Sequence, residues 1–189
     1  IRENTVVIFT SDNGAHNEQH DVNFFQSSGK FREYKRSFHE GGFHSPMIVR
    51  WPEVVEAGSA TGHISAFWDV MPTLCEIAGA PIPSQTDGIS FLPTLLGKKQ
   101  EQHGYLYWEF NESIHGEKNE YKQAVRLDDW KGIYYIDPDR FELYNLRQDI
   151  SEQHDVAEDH PSLVEKMKGM MKEAHVPSEG FPLLQCERR

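Results

Sequence analysis

The sequence has few cysteines, an excess of acidic over basic residues, and no long apolar run. Cys75 and Cys186 are its only cysteines and lie far apart, so a disulfide framework and a C-x-x-C zinc or redox site are excluded. Lysine and arginine number 19 against 30 aspartates and glutamates, a net charge of −11, which has the wrong sign for binding nucleic acid. No stretch approaches the roughly 20 apolar residues that span a bilayer. We therefore expect neither nucleic acid nor a membrane as a partner.

Motifs that carry a nucleophile are missing as well. The sequence contains no G-x-S-x-G, no P-loop and no dinucleotide-binding fingerprint. Cys75 falls inside an apolar helical pattern, where a thiol usually packs in the core. With 38% hydrophobic and 12% aromatic residues, the chain should still fold, as one medium domain or as a domain with a small appendage.

The first half has the pattern of an α/β fold. Residues 6–9 are continuously apolar, and the polar residues 10–14 follow them at once. This pattern is typical of a strand that is buried on both faces in a parallel sheet covered by helices. Because a parallel neighbour needs a crossover of about a dozen residues, the short segment before this strand predicts a fragment that begins in mid-domain.

Further elements complete this half. A second short strand is predicted at residues 47–52, where a proline ends it. Asp69 is predicted to cap a helix that ends at Gly79 and buries Met71 and Leu74 on one side. Residues 91–96 are expected to form another short helix.

The pattern changes near Gly97, where we place a domain boundary between residues 1–97 and 98–189. Four short aromatic or β-branched runs follow and predict an antiparallel meander. They cover residues 105–110, 123–127, 131–136 and 142–146. A final helix is predicted from apolar residues at helical spacing, including Met167 and Met171. The second part is therefore expected to be a small α+β unit.

Asp12 and Asn13 directly follow the first strand, at the sheet edge where open α/β sheets bind ligands. Their side-chain oxygens suit a hard cation such as Ca²⁺ or Mg²⁺. Calcium takes about six or more oxygens, so the remaining ligands would come from elsewhere. The alternative is an Asx turn with Gly14 at positive φ, and these residues alone favour that alternative.

A basic island and a group of histidines lie nearby. Residues 30–36 contain four cations and one anion and could hold an anionic substrate group such as phosphate or sulfate. For Lys30, Arg32 and Arg36, a solvated surface loop is the simpler interpretation. Among the histidines, His16 is the best candidate, because it lies four residues beyond Asp12 and could act as a hydrogen-bond donor or general acid.

Seven segments, taken in order, resemble the C-terminal half of type I sulfatases, of the alkaline phosphatase superfamily. They are residues 6–14, 34–42, 46–52, 69–74 and 87–93, the pair Trp130-Lys131, and residues 143–146. The resemblance covers nearly the whole chain. It implies the C-terminal part of an alkaline-phosphatase-like α/β core followed by a small antiparallel sheet with a C-terminal helix.

The resemblance also implies a function, the hydrolysis of sulfate esters, with a sulfated saccharide as the expected substrate. It makes Asp12 and Asn13 ligands of a Ca²⁺ ion whose site is completed by residues outside this chain. It makes Lys35 a sulfate-binding residue that assists the leaving oxygen, and it places His16 against the leaving oxygen or the sugar. The residues themselves do not indicate a cellular location, and a periplasmic or secreted one is implied by the resemblance alone.

The family nucleophile is a formylglycine made within a C/S-x-P-x-R motif, which this chain lacks. The nucleophile is therefore expected outside the chain, in an N-terminal half of the same polypeptide, and the chain alone should be inactive. Two departures from the family pattern stand out: His44 replaces an arginine after Glu40-Gly41-Gly42, and Glu33 brings a negative charge close to Lys35. A phosphohydrolase of the same superfamily and a non-catalytic carbohydrate-binding or interaction module are the alternatives.

Overall fold

A computed structural model gives the structure of the chain and describes residues 1–17, 21–111 and 121–179. Cys186 lies outside these residues. The elements follow in chain order: β1 Val7–Thr10, α1 Val22–Phe25, α2 Glu40–Phe43, β2 Met47–Arg50, α3 Val70–Ala78, α4 Leu92–Leu95, β3 Leu106–Asn111, β4 Tyr121–Leu127, β5 Trp130–Tyr135, β6 Arg140–Asn145 and α5 Pro161–Ala174. Short 3₁₀ helices occupy Arg2–Asn4 and Phe67–Asp69. None of the helices in the described ranges is long and apolar enough to cross a membrane.

The chain divides into two compact units, each built from two separate segments. The first contains Ile1–Asp12 and Ser45–Gly104, and the second contains Asn13–His44 and Tyr105–Arg189. The boundary between residues 97 and 98 stays a prediction. Mixed helices and antiparallel sheets confirm the expected fold class.

In the first unit, β1 pairs with β2 in an antiparallel two-stranded sheet, with Val7 opposite Arg50. The parallel neighbour predicted for β1 does not occur among the described residues. An apolar run indicates that a strand is buried but carries no information on the direction of its partner. Phe9 and Ile48 are 61% and 62% exposed, so this sheet is also not covered by helices in the way that was expected.

Helix α3 ends as predicted, with Gly79 in the left-handed conformation. Its predicted buried side is wrong, because Met71 and Leu74 are exposed and Pro72 and Thr73 are the buried residues. The carboxylate of Asp69 does not cap α3. It accepts hydrogen bonds from the backbone N–H groups of residues 66 and 89 at 2.7 and 2.9 Å.

The second unit is built on a four-stranded antiparallel sheet with the order β3-β4-β5-β6, which confirms the predicted meander. Neighbouring residues on β4 point to opposite faces of the sheet, and each face carries its own apolar cluster. Ala124 packs with Phe38 in one cluster, whereas Val125 packs with Met167 and Met171 in the other. The sheet therefore lies between the segment that contains Phe38 and helix α5.

Helix α5 packs closely on its face of the sheet. Met167 and Met171 are fully buried there, as the spacing of apolar residues predicted. Gly132 on β5 makes room for them, because a Cβ atom at that position would lie 2.8 Å from the sulfur of Met167 and 2.5 Å from the ring of Phe141.

Candidate functional site

Three glycines of the family motifs bring two backbone segments of the second unit into direct contact. The N–H of Gly14 donates a hydrogen bond to the carbonyl of Gly42 at 2.9 Å. A Cβ atom on Gly14 would lie 1.7 Å from the carbonyl oxygen of Gly41, and one on Gly42 would lie 2.1 Å from that of Ser37. Gly14 is not among the glycines with positive φ, so the close approach, and not the positive φ of the alternative interpretation, is the reason for glycine at this position.

A second backbone hydrogen bond connects the segments that carry Lys35 and His16, the two residues predicted to contact the substrate. The N–H of Lys35 donates to the carbonyl of Ala15 at 2.8 Å, and His16 follows Ala15 directly. Lys35 and His16 are both half-buried. The fold therefore fixes the backbone next to His16 against that of Lys35, although the two lie 19 positions apart in the sequence.

Asp12 and Asn13, the predicted metal ligands, lie where β1 has ended. Asp12 ends the first segment of the first unit, and Asn13 begins the first segment of the second unit. Their donor atoms are carboxylate and amide oxygens, which fit a hard cation in kind but not in number. Among residues 1–17, 21–111 and 121–179, no cluster of three or more His, Cys, Asp or Glu side chains could hold a metal ion alone. The assignment of these two residues as ligands stays a prediction.

Glu33, which was expected to bring a negative charge close to Lys35, has other partners. Its carboxylate accepts a hydrogen bond from the hydroxyl of Ser37 and lies 3.2 Å from Nδ1 of the buried His39. The hydrogen bond with His39 is the main cause that lowers the pKa of Glu33 to about 2. The carboxylate of Glu33 is therefore paired with Ser37 and His39. These contacts do not support the expectation that Glu33 weakens anion binding by Lys35.

His39 lies between two carboxylates and links the turn to the sheet. Its Nε2 is 3.3 Å from the carboxylate of Glu142 on β6, opposite the Glu33 contact. Burial lowers the pKa of His39, but the contacts with the carboxylates of Glu142 and Glu33 outweigh it and raise the pKa above its usual value. Glu142 is also hydrogen-bonded by Arg140 and by the hydroxyl of Tyr144. The two flanking carboxylates therefore favour the protonated form of His39.

Glu40, the first residue of the Glu40-Gly41-Gly42 motif, is buried in a second ionic cluster. One carboxylate oxygen is 2.8 Å from Nζ of Lys131, and the other is 3.3 Å from Nδ1 of His44 and 3.5 Å from Arg126. Burial alone would raise the pKa of Glu40, but these partners lower it to about 2. His44 therefore still contacts the motif carboxylate, and Arg126 supplies a permanently charged partner.

Arg32 does not belong to a free basic surface. Its guanidinium donates to the backbone carbonyl of Glu152 at 2.8 Å and to the hydroxyl of Tyr144 at 3.2 Å. Arg32 therefore connects the basic segment, residues 30–36, to β6 and to the segment that follows it. Its role is structural. Neither the anion-binding interpretation nor the solvated loop describes it.

Two residues that sequence reasoning did not single out, Lys131 and Glu152, hold Glu40 in place. Both are completely buried. Glu152 accepts a hydrogen bond from the backbone N–H of Glu40 at 2.6 Å, and burial raises the pKa of its carboxyl group. Lys131 lies in the Trp130-Lys131 pair that carried part of the resemblance, which was the available signal. For Glu152 no signal existed, because a glutamate in a polar segment is usually exposed.

Comparison with known proteins identifies the family. Residues 29–176 match the family described as N-sulphoglucosamine sulphohydrolase, C-terminal. The chain belongs to the sulfatase family. It corresponds to the C-terminal portion of these proteins, as the motifs in the sequence predicted.

The sulfatase relatives differ in the substrates that their names state. The chain is 30% identical over 198 residues to an ulvan-active sulfatase from Formosa agariphila, a match that covers 88% of this chain and 36% of the relative. It is also 30% identical over 141 residues to the human steryl-sulfatase, which covers 71% of this chain and 24% of the relative. The chain thus spans about a third or less of the curated relatives.

A solved structure shares the fold of this chain. The crystal structure of Ps i-CgsB in complex with k-i-k-neocarrahexaose matches with a TM-score of 0.72 and 28% sequence identity. The match covers 90% of this sulfatase chain and 36% of that protein.

Proposed function

We propose that the chain is the C-terminal portion of an enzyme that hydrolyses the sulfate ester of a saccharide. The observation that carries the proposal is the pair of backbone hydrogen bonds, Gly14 to Gly42 and Lys35 to Ala15. They bring the segment after β1, which carries Asn13 and His16, to the segment that carries Lys35. These are the segments in which the family places its metal ligands and sulfate-binding residues.

Within this proposal, each side chain has a defined task. Asp12 and Asn13 would contribute oxygen ligands to a Ca²⁺ ion, which supplies positive charge to the sulfuryl oxygens when it is bound. The Lys35 ammonium would bind the sulfate group and stabilise charge on the leaving oxygen. His16 would donate a hydrogen bond or a proton to the leaving oxygen or to the sugar. The nucleophile, a formylglycine, would lie outside this chain.

The choice of a saccharide rests on the relatives. An ulvan-active sulfatase and a complex with neocarrahexaose are among the proteins to which the chain is similar, whereas the steryl-sulfatase acts on a different class by its name. A panel of sulfated oligosaccharides and a steroid sulfate would separate these classes. Turnover of the steroid alone would overturn the saccharide assignment and leave the sulfatase assignment intact.

Substitution in the intact protein tests the site itself. Lys35→Ala removes a charge that stabilises the transition state, so we expect kcat/KM with a sulfate ester to fall by about 100-fold or more. Asp12→Ala removes a proposed metal ligand, and we expect the Ca²⁺ concentration needed for half-maximal activity to rise. Lys98→Ala is the matched control, because Lys98 is an exposed lysine outside both segments. Unchanged kinetics in both site variants would refute the assignment.

A further inference from the structure

Lys131 and Glu152 hold Glu40 through two different groups. Nζ of Lys131 lies 2.8 Å from the Glu40 carboxylate and 3.6 Å from that of Glu152. The carboxylate of Glu152 accepts the backbone N–H of Glu40 at 2.6 Å. Both the side chain and the main chain of Glu40 are therefore fixed from β5 and from the segment after β6.

This cluster is better suited to fixing geometry than to adding stability. Lys131 and Glu152 are fully buried and Glu40 nearly so, and moving charges out of water costs free energy that their attraction only partly returns. Well-packed apolar residues of similar size often stabilise a protein equally well. Hydrogen-bonded ion pairs, by contrast, allow few alternative arrangements of the groups that they join.

Glu40 is directly connected to the candidate site. It precedes Gly41 and Gly42, and the carbonyl of Gly42 accepts the Gly14 hydrogen bond. Gly41 in turn donates to the carbonyl of Arg32 at 2.9 Å. Because Gly14 and Gly41 are in contact with no room for one additional carbon atom, a displacement of Glu40 either shifts the backbone of Gly14 or breaks its hydrogen bond with Gly42.

We propose that Lys131 and Glu152 are positioning residues for the segment 13–16 and for Lys35. They act through Glu40 and the Gly42 carbonyl, without touching the substrate. Their effect on turnover rests on the proposed function, whereas their effect on the backbone around Gly14 does not. The C-terminal sheet thereby takes part in shaping the site.

Hydrogen exchange in the intact protein tests the backbone claim. The amides of Gly14 and Lys35 are the donors of the two hydrogen bonds that join the segments, so their exchange rates report directly on the contact. In Lys131→Met and Glu152→Ala we expect both amides to exchange at least 10-fold faster than in the wild type. Glu152→Gln should keep most of the protection, because its amide oxygen can still accept the Glu40 N–H.

The matched control is His175→Gln, which alters another contact between a histidine and a carboxylate in the same unit. Nδ1 of His175 lies 2.7 Å from the Glu109 carboxylate, and both groups are largely buried. We expect this variant to leave the Gly14 and Lys35 amides protected, even where it lowers the melting temperature. If Lys131→Met does not fold, the comparison of Glu152→Ala with Glu152→Gln still decides the question, because Lys131 stays paired with Glu40 in both.

The outcomes separate the two proposals. Exchange of Gly14 and Lys35 that is the same in Lys131→Met, Glu152→Ala and the control would overturn the positioning role, whatever the activity. Faster exchange with unchanged kcat and KM on a sulfate ester would confirm the effect on the backbone and overturn the claim that this contact shapes the site for turnover. If the wild type hydrolyses no sulfate ester, the proposed function fails, and the exchange rates alone decide whether Lys131 and Glu152 position this backbone.

Discussion

Replacing Gly14 by alanine should damage the candidate site, because there is no room for the added methyl group. The Cβ atom would lie 1.7 Å from the carbonyl oxygen of Gly41 and 2.7 Å from its carbon. Both are backbone atoms, which cannot rotate away as a side chain would. The two segments must therefore move apart, and the Gly14 to Gly42 hydrogen bond of 2.9 Å is lost or stretched.

The expected loss of stability follows from these contacts. Overpacking of this kind costs about 1–3 kcal/mol, and the lost backbone hydrogen bond about 1 kcal/mol. Alanine also restricts the unfolded chain, which returns about 0.4–1 kcal/mol. Together these contributions predict that Gly14→Ala lowers the free energy of unfolding by about 1–4 kcal/mol.

The same substitution at Gly169 should have the opposite sign. Gly169 is exposed in the interior of α5, and a Cβ atom there would meet nothing within 4 Å. Alanine at this position should stabilise the helix by about 1 kcal/mol. Urea unfolding of the intact protein, followed by its midpoint and slope, measures both variants under identical conditions.

The reasoning fails if the two alanines behave alike. A Gly14→Ala protein that unfolds at or above the wild-type urea midpoint, with the Lys35 amide as well protected as in the wild type, would mean that the two segments do not touch in solution. An activity measurement then adds a second readout, since the same displacement should reduce turnover through Asn13 and His16.

Two further predictions concern the second unit. The raised pKa of His39 means that the folded state binds its proton more tightly than the unfolded state, so this stabilisation is complete below pH 6.5 and is lost as pH rises through the folded pKa. His39 faces Glu33, Glu142 and Tyr144, with Glu152 nearby. His39→Gln should remove the loss of stability with rising pH that urea unfolding measures in the wild type. The same dependence of stability on pH in both proteins would contradict the prediction. Met167→Ala should lower the free energy of unfolding by about 2–5 kcal/mol, because it leaves a cavity between α5 and the sheet; a loss below about 1 kcal/mol in the same assay would contradict a buried Met167.

The sequence predicted those parts of the fold in which neighbouring residues carry the information. The meander follows from short runs of β-branched and aromatic residues between polar turns, and α5 follows from the spacing of Met167 and Met171. The direction of β1 could not be predicted, because it depends on which strand lies beside it. The exposed side of α3 was missed for the same reason, since Met71 and Leu74 look like core residues in any helical pattern.

The motifs of the candidate site could be predicted from the sequence, but the buried residues that hold Glu40 could not. The order of the family segments pointed to Asp12, Asn13, His16 and Lys35, whose roles stay predictions. The buried cluster around Glu40 escaped sequence reasoning because its members are charged residues distant in the sequence. Charged residues are almost never fully buried unless they are paired, and the pairing is visible only once the chain has folded.

The distance in sequence between Glu40 and its partners has a consequence for biosynthesis. Lys131 follows Glu40 by 91 positions and Glu152 follows it by 112, so a ribosome exposes the glycine motif long before the groups that hold it. Contacts of such high sequence separation form slowly, because a long loop must close first. The nascent chain therefore carries Glu40 without Lys131 and Glu152 until the segment after β6 has emerged, and assembly of the site becomes a late event in the maturation of the protein.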